Sequence, residues 1–213
     1  MRAVVLVHGW LMGSWSLRWV GWRLKQAGFQ PIHFSYRSRK ATVHEVAREL
    51  LAFCQSLEVS ELHMVGHSLG GLVILDMLQG LGADQSLPAG HVVLLGSPVG
   101  GCAAATGIAR YAWGRWLLGK ASEGLKQADY AVPRYRQTLM VAGTRAVGLG
   151  RCFAPLTVPH DGTVACSETE LPGAHWVAVH RSHSGLLISQ VVLGQIVTFL
   201  EGTARHNRRS GIG

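Results

Sequence analysis

The sequence predicts an α/β fold, a mostly parallel central sheet with helices on both faces. Three observations point to it. Short apolar runs recur along the chain at 3–7, 31–36, 62–66, 91–95, 138–142 and 176–179. Helix-length segments lie among them at 14–27, 42–57, 69–79 and 184–200, and that alternation is the pattern of strands connected by covering helices. The composition, 48% hydrophobic and 15% charged, supplies enough apolar surface for a sizeable core and excludes a disordered chain.

The elements follow in order. Residues 3–7, Ala-Val-Val-Leu-Val, open the sheet and run into Val7-His8-Gly9-Trp10. Thr42-Val43-His44-Glu45 starts the second helical segment with a capping box, an N-cap Thr with Glu three positions on. Met64-Val65 ends a strand just before Gly66-His67-Ser68-Leu69-Gly70, and Leu69 to Leu75 opens a helix. The rhythm breaks from 100 to about 136, where Ala-, Trp- and Leu-rich sequence carries glycines at 107, 114, 119 and 124. This stretch is expected to be a lid-like insertion within a single domain spanning 1–204. Residues 205–213, with Arg205, Arg208 and Arg209, read as a basic, frayed tail.

Charge and cysteine content narrow the function. The 213 residues carry a formal charge of +8, which favours anionic surfaces. No nucleic-acid motif accompanies it, so an anionic membrane surface is the partner it suggests and nucleic acid is not expected. Cys54, Cys102, Cys152 and Cys166 show neither paired nor zinc-ligand spacing and read as free thiols. None of the helical segments carries an H-x-x-x-H metal pattern, so neither metal nor cofactor is expected. No apolar run reaches the roughly 18 to 20 residues that span a bilayer. With an apolar strand at the start in place of a leader, the expected location is cytoplasmic.

Gly66-His67-Ser68-Leu69-Gly70 matches G-x-S-x-G in a strand–turn–helix setting. A serine on so sharp a turn is held in a strained backbone that projects its hydroxyl above the sheet. The helix start behind it offers N–H groups and a positive dipole end to an oxyanion. A serine hydroxyl needs a histidine to take its proton and a carboxylate to orient that histidine, in the chain order Ser, acid, His. Asp76 lies inside the nucleophile helix, and Asp84, Glu123 and Asp129 precede the late strand. Asp161, in the loop Pro159-His160-Asp161-Gly162-Thr163-Val164, stands where an orienting acid belongs. Of the later histidines, His183 in Arg181-Ser182-His183-Ser184-Gly185 is preferred over His180 as the base, because it sits in a short loop just before the last helix. The oxyanion donors are expected to be the N–H of Leu69 and that of Trp10, or of Leu11 one position on. His8 reads as a structural hydrogen-bonding residue.

These motifs, together with Gly-Ser-Pro-Val-Gly-Gly at 96–101, resemble the α/β-hydrolase superfamily, specifically its small bacterial lipase and esterase branch. The resemblance covers nearly the whole chain. It implies an α/β-hydrolase fold and carboxylester hydrolysis through an acyl-enzyme, with a small-molecule or lipid acyl ester as substrate. The same framework carries thioesterases and acyltransferases, and a non-catalytic interaction protein on this scaffold is a third reading. Within the insertion, Ala104, Ala105, Ile108, Ala112, Trp116 and Leu117 recur at spacings compatible with one helical face. That face either covers an acyl pocket, with Trp113 and Trp116 touching substrate, or packs as an ordinary surface helix. Arg110, Arg115 and Lys120, with the Arg37-Ser38-Arg39-Lys40 run, place positive charge on the same rim.

Overall fold

The computed structural model describes residues 1–82, 86–125 and 130–209. Six strands, β1 (Arg2–Val7), β2 (Gln30–Phe34), β3 (Glu61–His67), β4 (Val92–Leu95), β5 (Thr138–Gly143) and β6 (His175–Val179), form one sheet in the order β2-β1-β3-β4-β5-β6. Every neighbouring pair is parallel. Parallel strands need crossovers. Helices α1 (Arg18–Gln26), α2 (Val43–Gln55) and α3 (Leu69–Gln79) make the first three, and α7 (Gln190–Arg209) follows the last strand.

β4 is apolar at every position and β1 from Ala3 onward, because each face meets a helical layer. In β1, Ala3, Val5 and Val7 point into a core shared with α2 and α3. Val4 and Leu6 point into a second core with α1 and α7. Pro31 is tolerated in β2 because that strand lies at the edge of the sheet. The capping box is formed: Glu45 N donates to Thr42 Oγ1 at 3.1 Å, and Thr42 N donates to Glu45 Oε2 at 2.7 Å.

Three helical segments differ from the sequence reading. The first begins as a tight 3₁₀ turn, Ser14–Leu17, before α1. The last is interrupted: a 3₁₀ turn at Ser184–Leu187 precedes α7. Tertiary bonds flank the turn: His183 N donates to Asp161 O at 3.0 Å before it, and Arg181 Nε donates to Ser189 Oγ at 3.2 Å where it gives way to α7. Helix α7 then continues through Arg209, past the expected start of the tail, and 210–213 lie outside the described residues. The insertion is a set of short helices, α4 (Ala103–Ala109), α5 (Ala112–Leu118) and α6 (Ala121–Gly124). Arg115 Nη1 donates to the carbonyls of Ala109 and Arg110 at 3.0 and 3.2 Å. Those bonds satisfy the end of α4 and stop a continuous helix there, so the single apolar face does not form.

Candidate active site

The chain runs from β1 to β2 on one side of β1 and then returns to place β3 on its other side. In open parallel sheets such a switch, at the strand C-termini, is where ligands bind. Ser68 follows β3, and His8-Gly9-Trp10 follows β1, so neighbouring strands bring the two loops together. Gly70 makes the approach possible, since a Cβ there would lie 2.2 Å from Val7 O.

Ser68 has φ 53° and ψ −122°, a conformation costly for any residue with a side chain. Its N–H donates to Leu95 O at 2.9 Å, which anchors the turn to β4. Leu69 is the first residue of α3, where an N–H has no acceptor within its own helix. Across the gap, Leu11 N donates to Ser38 Oγ at 3.1 Å. Of the two N–H groups expected on the β1 loop, that of Leu11 is therefore already engaged.

Asp161 lies in the loop after β5 and His183 in the loop after β6. His183 Nδ1 is 2.6 Å from Asp161 Oδ2, while Asp161 Oδ1 accepts from the N–H groups of Thr163 and Val164 at 2.9 and 2.8 Å. Burial pushes the Asp161 carboxyl up. The His183 charge and hydrogen bond, with those two N–H groups, outweigh burial and hold it below the usual carboxylate range. A carboxylate accepting at Oδ2 places the His183 proton on Nδ1 and leaves Nε2 as the basic nitrogen. Gly96 belongs to the same packing: its φ is 57°, and a Cβ there would come 3.1 Å from His183 Nδ1 and 3.2 Å from Asp161 Oδ2.

Two further histidines support this arrangement. His67 Nε2 donates to His183 O at 3.2 Å, and the two rings lie 4.7 Å apart. Burial, followed by the charge of His183, pushes His67 down to about 3, so it stays neutral. His8 is structural, as its early position suggests. Its Nε2 accepts from Tyr36 N at 3.4 Å, Nδ1 donates to Gly9 O at 2.9 Å, and the Tyr36 ring stacks on it. His180, in contrast, is exposed beside Thr144, away from Asp161. Of the acids set aside earlier, Asp84 and Asp129 lie outside the described residues, and Asp76 sits in α3 next to His44.

Ser68, His67, His183 and Trp10 line one cavity of about 460 Å³. Its remaining wall is largely apolar, drawn mainly from α4, α5 and the loop after β5, with Thr163 and Ser184 as polar members. Trp113 lines it. Trp116 does not and departs from the expectation: its ring lies outside, under the Arg39 guanidinium at 4.3 Å. The break between α4 and α5 turns the two tryptophans to different surroundings. Leu149 and Phe153, which the sequence reading did not single out, complete the wall. They come from an irregular loop with no periodicity to reveal them.

No curated protein matches the chain in sequence. Solved structures do match in fold. A mature lipase of Bacillus licheniformis is 18% identical over 93% of this chain and 91% of its own, with a TM-score of 0.76. A metagenomic carboxyl esterase is 16% identical over 95% and 76%, with a TM-score of 0.77. A thioesterase from the prodiginine biosynthetic pathway of Streptomyces coelicolor is 13% identical over 93% and 84%, at 0.61. The model of the alpha/beta hydrolase family matches residues 4–197. That span runs from β1 into α7 and takes in every strand, and the chain belongs to the alpha/beta hydrolase family.

Proposed function

We propose that this protein is a serine hydrolase that cleaves carboxylic acyl esters, with Ser68 as nucleophile, His183 as base and Asp161 as orienting acid. The observation that carries the reading is the 2.6 Å Asp161–His183 pair, whose His183 lines the cavity that also holds the strained Ser68. Ser68 Oγ attacks the acyl carbon while His183 Nε2 takes its proton. The N–H groups of Trp10 and Leu69 receive the charge that develops on the carbonyl oxygen. His183 returns the proton to the departing alkoxide, and water attacks the acyl-enzyme by the same route. A cavity of about 460 Å³ with a largely apolar wall suits the acyl part of an ester.

The test is covalent labelling with a fluorophosphonate, together with hydrolysis of a nitrophenyl ester. The adduct is expected on Ser68, and Ser68→Ala is expected to remove both labelling and turnover. An adduct on another residue, or none on folded protein, excludes the assignment. Adding an alcohol, amine or thiol acceptor then reports whether the acyl group goes to water or is transferred.

A further inference from the structure

We propose that the mouth of this cavity docks on an anionic lipid surface, with lipid phosphates received in a groove formed by Arg37, Arg39 and Lys40. The apolar half of the surface is contiguous. Leu11, Trp113 and Leu149 line the cavity yet are each at least half exposed, Leu149 at 76%. Tyr111 extends the rim by stacking on Trp113 at 5.8 Å. On the other side of Leu11 lies a second, open groove of about 420 Å³, lined by Arg37, Arg39, Lys40 and Trp116. Leu11 and Met12 belong to both walls. Trp116 is 70% exposed, held by Arg39 through the ring contact and a 3.0 Å hydrogen bond to its carbonyl. Arg39 Nε is buried with no hydrogen-bond partner.

The charge is one-sided. The stretches 8–17, 35–42, 96–122 and 144–160, which begin the segments after β1, β2, β4 and β5, contain no Asp or Glu; the acids that follow in the last two segments start at Glu123 and at the buried Asp161. These stretches contain Arg37, Arg39, Lys40, Arg110, Arg115, Lys120, Arg145 and Arg151, and Lys120 pairs with Glu45 at 3.2 Å. Cations alone would suit any acidic partner. Outward-facing indoles and leucines among them select a lipid surface, because such side chains settle at the headgroup boundary while arginine and lysine meet phosphates. No helix among the described residues is long and apolar enough to cross a membrane, so the contact is peripheral.

The surface is independent of the chemistry, and the test uses the full chain carrying Ser68→Ala, so that a failed catalytic assignment leaves it readable. Co-sedimentation is measured with vesicles of phosphatidylcholine alone and of equal parts phosphatidylcholine and phosphatidylglycerol. Binding is expected to the anionic vesicles, to fall in high salt, and to weaken about tenfold or more in Arg37→Glu/Lys40→Glu. Trp116→Ser is expected to weaken it separately, with a melting temperature confirming the fold of each variant. Equal binding to both vesicles overturns the proposal. So does loss of binding on Trp19→Ser/Trp22→Ser instead, which would give the contact to the exposed tryptophans of α1. Salt-sensitive binding to polyglutamate without vesicle binding would assign the surface to an acidic protein and overturn it as well.

Discussion

The two ends of the sheet carry parallel sets of groups and come to different chemistry. At the C-terminal end, His67 and His183 lie 4.7 Å apart beside Asp161. At the N-terminal end, His63 and His91 lie 5.7 Å apart beside Glu61. The larger opening, about 1100 Å³, is at the N-terminal end. Size therefore does not identify the site. What differs is how the polar groups are spent. His63 Nδ1 accepts from His91 N at 3.1 Å, which puts the ring proton on Nε2. That nitrogen is 3.1 Å from Glu61 Oε1, in an alignment too poor for a hydrogen bond. Arg136 donates to Leu62 O and Pro88 O at 2.8 and 2.6 Å, which commits its cation to holding the backbone. At the other end the Asp161 carboxylate is hydrogen-bonded to His183, and β3 ends in the turn that carries the Ser68 hydroxyl. One end orients groups toward a cavity, while the other turns them on the protein itself.

The comparison breaks first on turnover. His183→Ala and Asp161→Asn are each expected to cut ester hydrolysis by roughly 10³ to 10⁶, as members of a triad do. His180→Ala is expected to leave it within about twofold, as for an exposed residue. Steady-state kinetics decide, and an exchange of phenotype between the two histidines would move the base to His180.

Acid stability sharpens the contrast next. Burial, then the charges of His91, Arg136 and Arg2, push His63 down to about 3. The folded protein keeps it neutral, whereas the unfolded chain takes up the proton near the ordinary value of 6.5. The stabilisation is therefore complete above about 6.5 and is lost as the pH falls toward 3, on the order of a few kcal/mol across that window. Melting temperatures are expected to decline through this range. His63→Asn, which preserves an acceptor for His91 N, is expected to flatten the decline. An unchanged slope would show that His63 already carries charge in the fold.

The smallest effect falls on Arg136. Replacing it with Met leaves two carbonyls without donors, at about 1–3 kcal/mol of stability, read by urea denaturation. The kcat of the folded variant is expected to stay unchanged. A fall in kcat at constant stability would link the two ends of the sheet.

Most of the framework was legible because it rests on local signals. All six strands were placed within two residues of their observed ends, since each is a short apolar-rich run in its own stretch of sequence. The cap at Thr42 and the turn at Ser68 were legible for the same reason: each is set by a few neighbouring residues. Helix continuity was not. The last helix parts at Ser189, whose hydroxyl accepts from Arg181, and the insertion is broken where Arg115 reaches back to α4.

By itself, then, the amino-acid order determined the alternation of strands and helices, the sharp turn at Ser68, and a short list of acids and histidines. Only the tertiary structure decided which carboxylate meets which imidazole, because that depends on β5 and β6 lying side by side and on two loops far apart in sequence converging. It alone separated Trp113 from Trp116, placing one on the cavity wall and the other under Arg39. Periodicity says which residues share a face of a helix. Where that helix stops, and what its face meets, is set by contacts that residues remote in the chain supply.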